Sequence, residues 1–231
     1  MKRILVVQSR TDSKYIGREQ ENFRRVIGES ADVSFLSALD ERLAWATPDE
    51  FLKGYDGVIF GGSSDFDFDG GRPEKDPARL MSLMILSRVR DIIAHALAGH
   101  IPLLGICFGH QIIAQMHGGK VSNDKEQNKF GAYEVRLTEE GKNDPLFETL
   151  PEKFFAQYAH KDSATVLPLG ATLLAAGEAC RFSALRYGKT TYTVQFHPEV
   201  QRFVQGPESH DSPEASRLIS LWIEHIVHGH G

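Results

Sequence analysis

Short apolar runs set between amphipathic stretches give the first half of the chain its rhythm. Ile4-Leu5-Val6-Val7 forms the centre of a strand predicted over residues 3–8, and residues 32–38 and 55–60 read as a second and a third strand. Residues 17–28 carry apolar positions at helical spacing. Residues 77–97 predict a long helix that opens on Pro77, a favoured first helical residue, and stops at Ala98-Gly99. The run Ile101-Pro102-Leu103-Leu104 then reads as a buried strand, and the helical pattern Ile112-Ile113-Ala114-Gln115-Met116 halts at Gly118-Gly119, most simply a C-cap. Apolar strands alternating with helices predict an α/β fold, a mostly parallel sheet with helices on both faces.

From about residue 132 the pattern changes. Residues 132–137, 154–159, 171–176, 183–187 and 191–196 read as strands with little helix between them, which predicts an antiparallel β-layer added to the same domain. A closing helix over 213–228 has an apolar stripe of Ala215, Leu218, Ile219, Trp222, Ile223 and Ile226. With no repeat, low-complexity tract or evident linker, residues 1–231 are expected to form one domain.

The chemistry concentrates at the join between the fourth strand and its helix, Gly105-Ile106-Cys107-Phe108-Gly109-His110-Gln111. Strand, Gly-x-Cys-x-Gly, helix is the arrangement of a nucleophile elbow. The glycines permit a sharp turn in which the middle residue takes a strained backbone, and the helix N-terminus behind it favours thiolate over thiol. A thiolate needs a base. Ninety positions on, the strand Thr191-Tyr192-Thr193-Val194-Gln195-Phe196 runs into His197-Pro198-Glu199, which sets an imidazole and a carboxylate on one short segment stiffened by proline. Cys107, His197 and Glu199 supply nucleophile, base and orienting acid. In a parallel sheet, ligands bind beyond the carboxyl ends of the strands, where both Gly61-Gly62 and Cys107 would lie.

Taken singly, these residues mean less. An isolated cysteine is usually a buried structural thiol, and a lone Glu199 would be a surface carboxylate. The glycines, the preceding strand and the His-Pro-Glu segment together reverse that reading for Cys107. His110, three residues past the thiol, is expected to pack or bond at the helix start, and Cys180 to be structural. His225, His228 and His230 lack cysteine or carboxylate partners at ligand spacing, so no metal is expected.

Charge and cysteine content narrow the partners. With 31 acidic and 26 basic residues the net charge is -5, and no basic cluster occurs, so neither nucleic acid nor a membrane surface is an expected partner. No apolar stretch approaches spanning length. Two cysteines make no disulfide framework, and a reducing cytoplasm is expected. Phosphate-loop and dinucleotide fingerprints do not occur, and no cofactor is expected.

Gly-Ile-Cys-Phe-Gly-His-Gln followed by Phe-His-Pro-Glu-Val resembles the class I (triad) glutamine amidotransferases. Gly61-Gly62, Lys129-Phe130-Gly131, Gln157-Tyr158-Ala159-His160-Lys161-Asp162 and Gly177-Glu178-Ala179-Cys180 occur in the order that family has. Over most of residues 1–200 the chain looks most like the glutaminase part of GMP synthase and its free-standing relatives. The resemblance implies a flavodoxin-like sheet and the hydrolysis of glutamine through a Cys107 thioester. It implies that His197 shuttles the proton, that Glu199 orients it, and that the N–H groups of Gly62 and Phe108 form an oxyanion hole. Gln111 would contact the substrate, and the backbone around Lys161 and Asp162 would hold its amino-acid end. An ammonia-accepting synthase subunit is the implied partner. Two other readings stand beside it: a γ-glutamyl peptidase or hydrolase using the same triad, and a catalytically silent binder.

The chain also departs from the family pattern. Lys161 stands where relatives often carry Gly, and Ser63 where many have Pro after the double Gly. Residues 64–76 are longer than in a minimal glutaminase, and are expected to be either a lid or docking loop or a solvated acidic loop.

Overall fold

Alternation along β1 (Lys2–Gln8) turns Ile4 and Val6 toward one face of a sheet and Leu5 and Val7 toward the other, and all four are fully buried. A strand buried on both sides needs helices on both sides. The computed structural model describes residues 1–203 and 209–230, and in it the helices are so placed. The chain runs through α1 (Ser13–Ile27), β2 (Ala31–Ser37), α2 (Pro48–Phe51), β3 (Gly57–Phe60), α3 (Pro77–Leu97), β4 (Leu103–Ile106) and α4 (Phe108–Met116). It continues through β5 (Val121–Asn123), β6 (Lys129–Leu137), α5 (Glu139–Lys142), β7 (Lys153–His160), β8 (Asp162–Ala164), β9 (Ala171–Gly177), β10 (Cys180–Tyr187) and β11 (Thr191–Val194). On one face Phe23 and Ile27 of α1 pack with the C-terminal segment, and on the other Ile85, Val89 and Ile92 of α3 pack with Ile112 and Ile113 of α4.

Among the described residues nine strands form one sheet in the order β2-β1-β3-β4-β11-β10-β9-β6-β7. The first five are mutually parallel, which is the flavodoxin-like order with β11 in the fifth place. The remaining four are antiparallel and continue the same sheet from β11 outward. A separate antiparallel pair, β5 with β8, lies beside it. The α/β sheet with an antiparallel addition is therefore the observed architecture, and the addition is mainly an extension edge to edge.

Element ends differ from the sequence pattern where capping decides them. α1 begins at Ser13, ahead of its apolar stripe, because the Asp12 side chain accepts from the Lys14 N–H at 2.8 Å. α3 has the predicted limits, with Pro77 in its first turn and the Asp76 carboxylate accepting from the Ala78 N–H at 2.9 Å. The closing helix is broken into α6 (Pro213–Ser216), α7 (Leu218–Leu221) and a π-helical turn over Trp222–Val227. That wider turn buries Trp222, Ile223, Ile226 and Val227 together. It sets the Trp222 ring against Gly57 of β3, where a Cβ would come within 2.8 Å of it.

Candidate active site

Four parallel strands end on one edge of the sheet, and the residues that follow them converge. Arg10 follows β1, Gly61-Gly62 follow β3, Cys107 follows β4 and His197 follows β11. Cys107 has φ 52° and ψ −96°, and it is the one non-glycine residue with positive φ among the described residues. For a residue with a Cβ this backbone carries strain of order 1–3 kcal/mol, held in place by surrounding bonds. The Cys107 N–H donates to the Val194 carbonyl at 2.8 Å, and the Gly109 N–H to the Gly61 carbonyl at 3.2 Å. A side chain at Gly109 would run into the Phe60 carbonyl oxygen. Glycine at that position lets α4 lie directly on β3.

The same bonds bring the base to the thiol. The His197 N–H donates to the Gln157 carbonyl of β7 at 2.8 Å, and His197 Nδ1 bonds Glu199 Oε1 at 2.7 Å. Cys107, His197 and Glu199 are all buried. His197 Nε2 has no nitrogen or oxygen partner among the described residues, and the Cys107 side chain lies within interaction range of the ring. Gly62 sits between the two: a Cβ there would lie 2.8 Å from His197 Cε1 and 3.5 Å from Cys107 Cβ. Burial disfavours charge on His197, but the Glu199 carboxylate and the Cys107 sulfur outweigh it and push the imidazole pKa up to about 10. The arrangement holds a charged imidazole beside the Cys107 sulfur.

The other buried histidines and the second cysteine contrast with this. His110 bonds Thr193 Oγ1 at 2.9 Å through Nδ1, and burial lowers its pKa to about 3. Burial, aided by charge on His197, lowers His160 to about 4. Burial pushes the Cys180 thiol up to about 12. All three are neutral packing groups at pH 7, in contrast to His197, whose neighbours hold it charged.

The cleft beside Cys107 encloses about 290 Å³ and is bordered by Ser63, Phe66, Gln111, Lys161 and Asp162, a small volume for a ligand site. Gln111 Nε2 donates to the Asp162 carbonyl at 2.7 Å and to Gln195 Oε1 at 3.3 Å. The Asp162 carboxylate accepts the N–H groups of Asp69 and Gly70 at 2.7 and 2.6 Å. It is therefore committed to the 64–76 segment, and Lys161 is exposed at the rim. That segment is neither loose nor merely solvated. Phe68 is buried and stacks on Phe108 at 5.6 Å, and Arg72 pairs with Asp67 at 2.9 Å. It is a fixed wall of the cleft.

Sequence reasoning missed Arg10 and Glu19. Their side chains pair at 3.0 Å in a buried setting, with Glu19 also accepting from Gln8 Nε2 at 2.7 Å. Arg10 lies within electrostatic reach of Glu199 and Cys107. Two signals could have found them: a cation just past the carboxyl end of a parallel strand, and a carboxylate in the buried stripe of α1.

No positive φ burdens Gly62, so Gly62→Ala leaves the backbone unstrained, and His197 is the one neighbour its Cβ would crowd below 3.0 Å. Turnover is expected to fall about 10²–10³-fold, the size of losing one oxyanion donor, with an unchanged circular dichroism spectrum. Wild-type turnover in this variant would show that His197 does not need its present position.

Residues 75–211 match the family model described as Glutamine amidotransferase class-I. One component of the glutamine-hydrolyzing GMP synthase of Methanococcus aeolicus is 40% identical over 124 residues, 53% of this chain and 64% of that protein. The corresponding GMP synthase component of Archaeoglobus fulgidus is 31% identical over 163 residues, 70% of this chain and 76% of that protein. The chain thus spans somewhat under two thirds of the length of the first of these relatives. A solved Thermoplasma acidophilum protein, described as a GMP synthase component, shares the fold, with a TM-score of 0.72 and 23% identity across 99% of this chain and 95% of that one.

Proposed function

The chain belongs to the class I glutamine amidotransferases, and from that premise we propose that it hydrolyses the side-chain amide of glutamine to glutamate and ammonia. The observation that carries the reading is the strained Cys107 beside the buried His197–Glu199 pair. The Cys107 thiolate attacks the amide carbon, and the N–H groups of Gly62 and Phe108 receive the oxyanion. As the first residue of α4, Phe108 has no helical acceptor for its N–H. Each such donor contributes about 3–4 kcal/mol. His197 gives its proton to the leaving nitrogen, so that ammonia departs and a glutamyl thioester remains. It then takes a proton from the water that releases glutamate, while Glu199 keeps the ring in register.

Gln111, tied through Nε2 to the Asp162 carbonyl, positions the 160–162 segment and contacts the substrate from the cleft wall. The backbone around Lys161 and Asp162 receives the amino-acid end of the substrate. Residues 1–231 work as one glutaminase domain without a cofactor, in a reducing cytoplasm that keeps Cys107 reduced. The ammonia goes to a separate synthase subunit, since the relatives are named as one component of a glutamine-hydrolyzing GMP synthase. No described helix is long and apolar enough to cross a membrane.

Incubation with glutamine is expected to release ammonia and glutamate in equal amounts, measured by coupled dehydrogenase assays. A rate no higher than that of the Cys107→Ser protein defeats the reading.

A further inference from the structure

Across His197 from the glutamine cleft lies a second and larger cavity, of about 660 Å³. The two share Ser63, Ser64, Phe130 and Ala159 in their walls, so they are adjoining compartments of one site. Cys107 borders the smaller compartment, and His197 and Glu199 border the larger. The thiolate attacks from one side of the scissile carbon, and His197 delivers a proton to the nitrogen that leaves. That nitrogen must face His197. Anything attached to it extends into the larger cavity, which free ammonia would leave empty.

The lining of that cavity is cationic. Tyr15, Arg18, Asn22 and Arg25 stand on one face of α1, at spacings of three, four and three residues. Arg10 and Arg202 join them from other segments. Arg10 is paired with Glu19 at 3.0 Å and Arg202 with Asp211 at 2.6 Å, while Glu199 serves His197. These pairs consume the carboxylates that line the cavity among the described residues. Arg25 donates only to the Glu199 backbone carbonyl, at 2.9 Å. Arg18 has no hydrogen bond or ion pair among the described residues. Among the described residues, the Arg18 and Arg25 guanidinium groups thus have no ion-pair partner in the wall of this cavity, and their planar geometry suits a carboxylate.

We infer that this site also cleaves γ-glutamyl amides whose leaving amine carries a carboxylate, such as γ-glutamyl amino acids, and that Arg18 and Arg25 bind that carboxylate. The inference rests on the triad reading above and adds a substrate class to it. The chemistry balances as for glutamine. A C–S bond forms as the C–N bond breaks, the His197 proton goes to the departing amino group, and water then cleaves the thioester to give glutamate and restore the thiolate.

The test uses the whole protein with three substrates: glutamine, γ-glutamylglycine and γ-glutamylglycinamide. The two conjugates differ in a single terminal carboxylate. The acid-over-amide ratio of kcat/KM is expected to fall by about tenfold in an Arg18→Gln, Arg25→Gln double variant. Added salt should lower the same ratio in the wild type. Both arginines are exposed, and Gln is a good helix former, so α1 should persist. An unchanged ratio in the double variant overturns the assignment. So does hydrolysis of glutamine with neither conjugate cleaved, which would leave the cavity to an acidic segment of a protein partner. Loss of all three activities would instead overturn the triad reading itself, and this assignment with it.

Discussion

Cys107→Ser is expected to reduce glutamine hydrolysis by at least about 10³-fold, because Cys107 is the group that the strained elbow holds beside His197. The change is nearly isosteric, so the fold has little to lose. The hydroxyl has a far higher pKa than a thiol, and even beside His197 it is seldom ionised. The elbow backbone should remain at its strained φ, since Val194 and Gly61 still hold it. Thermal unfolding should therefore move little while turnover collapses. Trapping with a glutamine-like electrophile, followed by intact mass, should add one adduct to the wild type and none to the variant. An adduct on Cys180 would contradict the assignment, because burial holds that thiol at about 12. Retained glutaminase activity in the serine variant would remove the mechanism altogether.

Glu199→Gln is the second large effect, and its signature is a shift in pH dependence. In the wild type burial opposes charge on His197, and the Glu199 carboxylate with the Cys107 sulfur overcomes it, raising the pKa to about 10. The acid that protonates the leaving nitrogen therefore persists through neutral pH, and kcat/KM should fall only near pH 10. Without the carboxylate, burial dominates and the alkaline limb moves to lower pH. The loss of orientation should also lower turnover by about 10²–10⁴-fold, as when a triad acid is replaced by its amide. Stability follows the same sign. A folded pKa above the unfolded value of about 6.5 contributes stability that is complete below pH 6.5 and is lost as pH rises toward 10. Wild-type unfolding should show that alkaline decline, and the Gln variant much less of it. An alkaline limb that stays in place in Glu199→Gln would mean that another group sets the protonation of His197.

Much of the site was legible because its signals are local. Gly105 and Gly109 around Cys107 prescribe a turn, and Pro198 locks His197 and Glu199 two residues apart. The Nδ1–Oε1 bond of 2.7 Å is a consequence of that spacing. Pro77 and Asp76 likewise mark the start of α3 to the residue. The C-terminal helix was less legible. Its apolar stripe gave the direction of burial, but the π turn at Trp222 depends on Gly57, a residue far away in sequence.

Asp162 and Arg10 show where local reading stops. Nothing near Asp162 in the sequence indicates that its carboxylate will hold the Asp69 and Gly70 N–H groups. Arg10 comes within electrostatic reach of Cys107 only because β1, β3 and β4 are adjacent and parallel. From sequence alone came the alternation of strands and helices, the elbow and the identity of the three groups suited to acyl transfer, because backbone preferences and short-range spacing decide them. Tertiary structure alone decided that β11 pairs beside β4, bringing His197 to Cys107, and that the polar face of α1 lines a cavity next to them. Both outcomes depend on strand order and on which helix face meets which sheet edge. Those choices are made by burial summed over the whole core, which no short stretch of sequence contains.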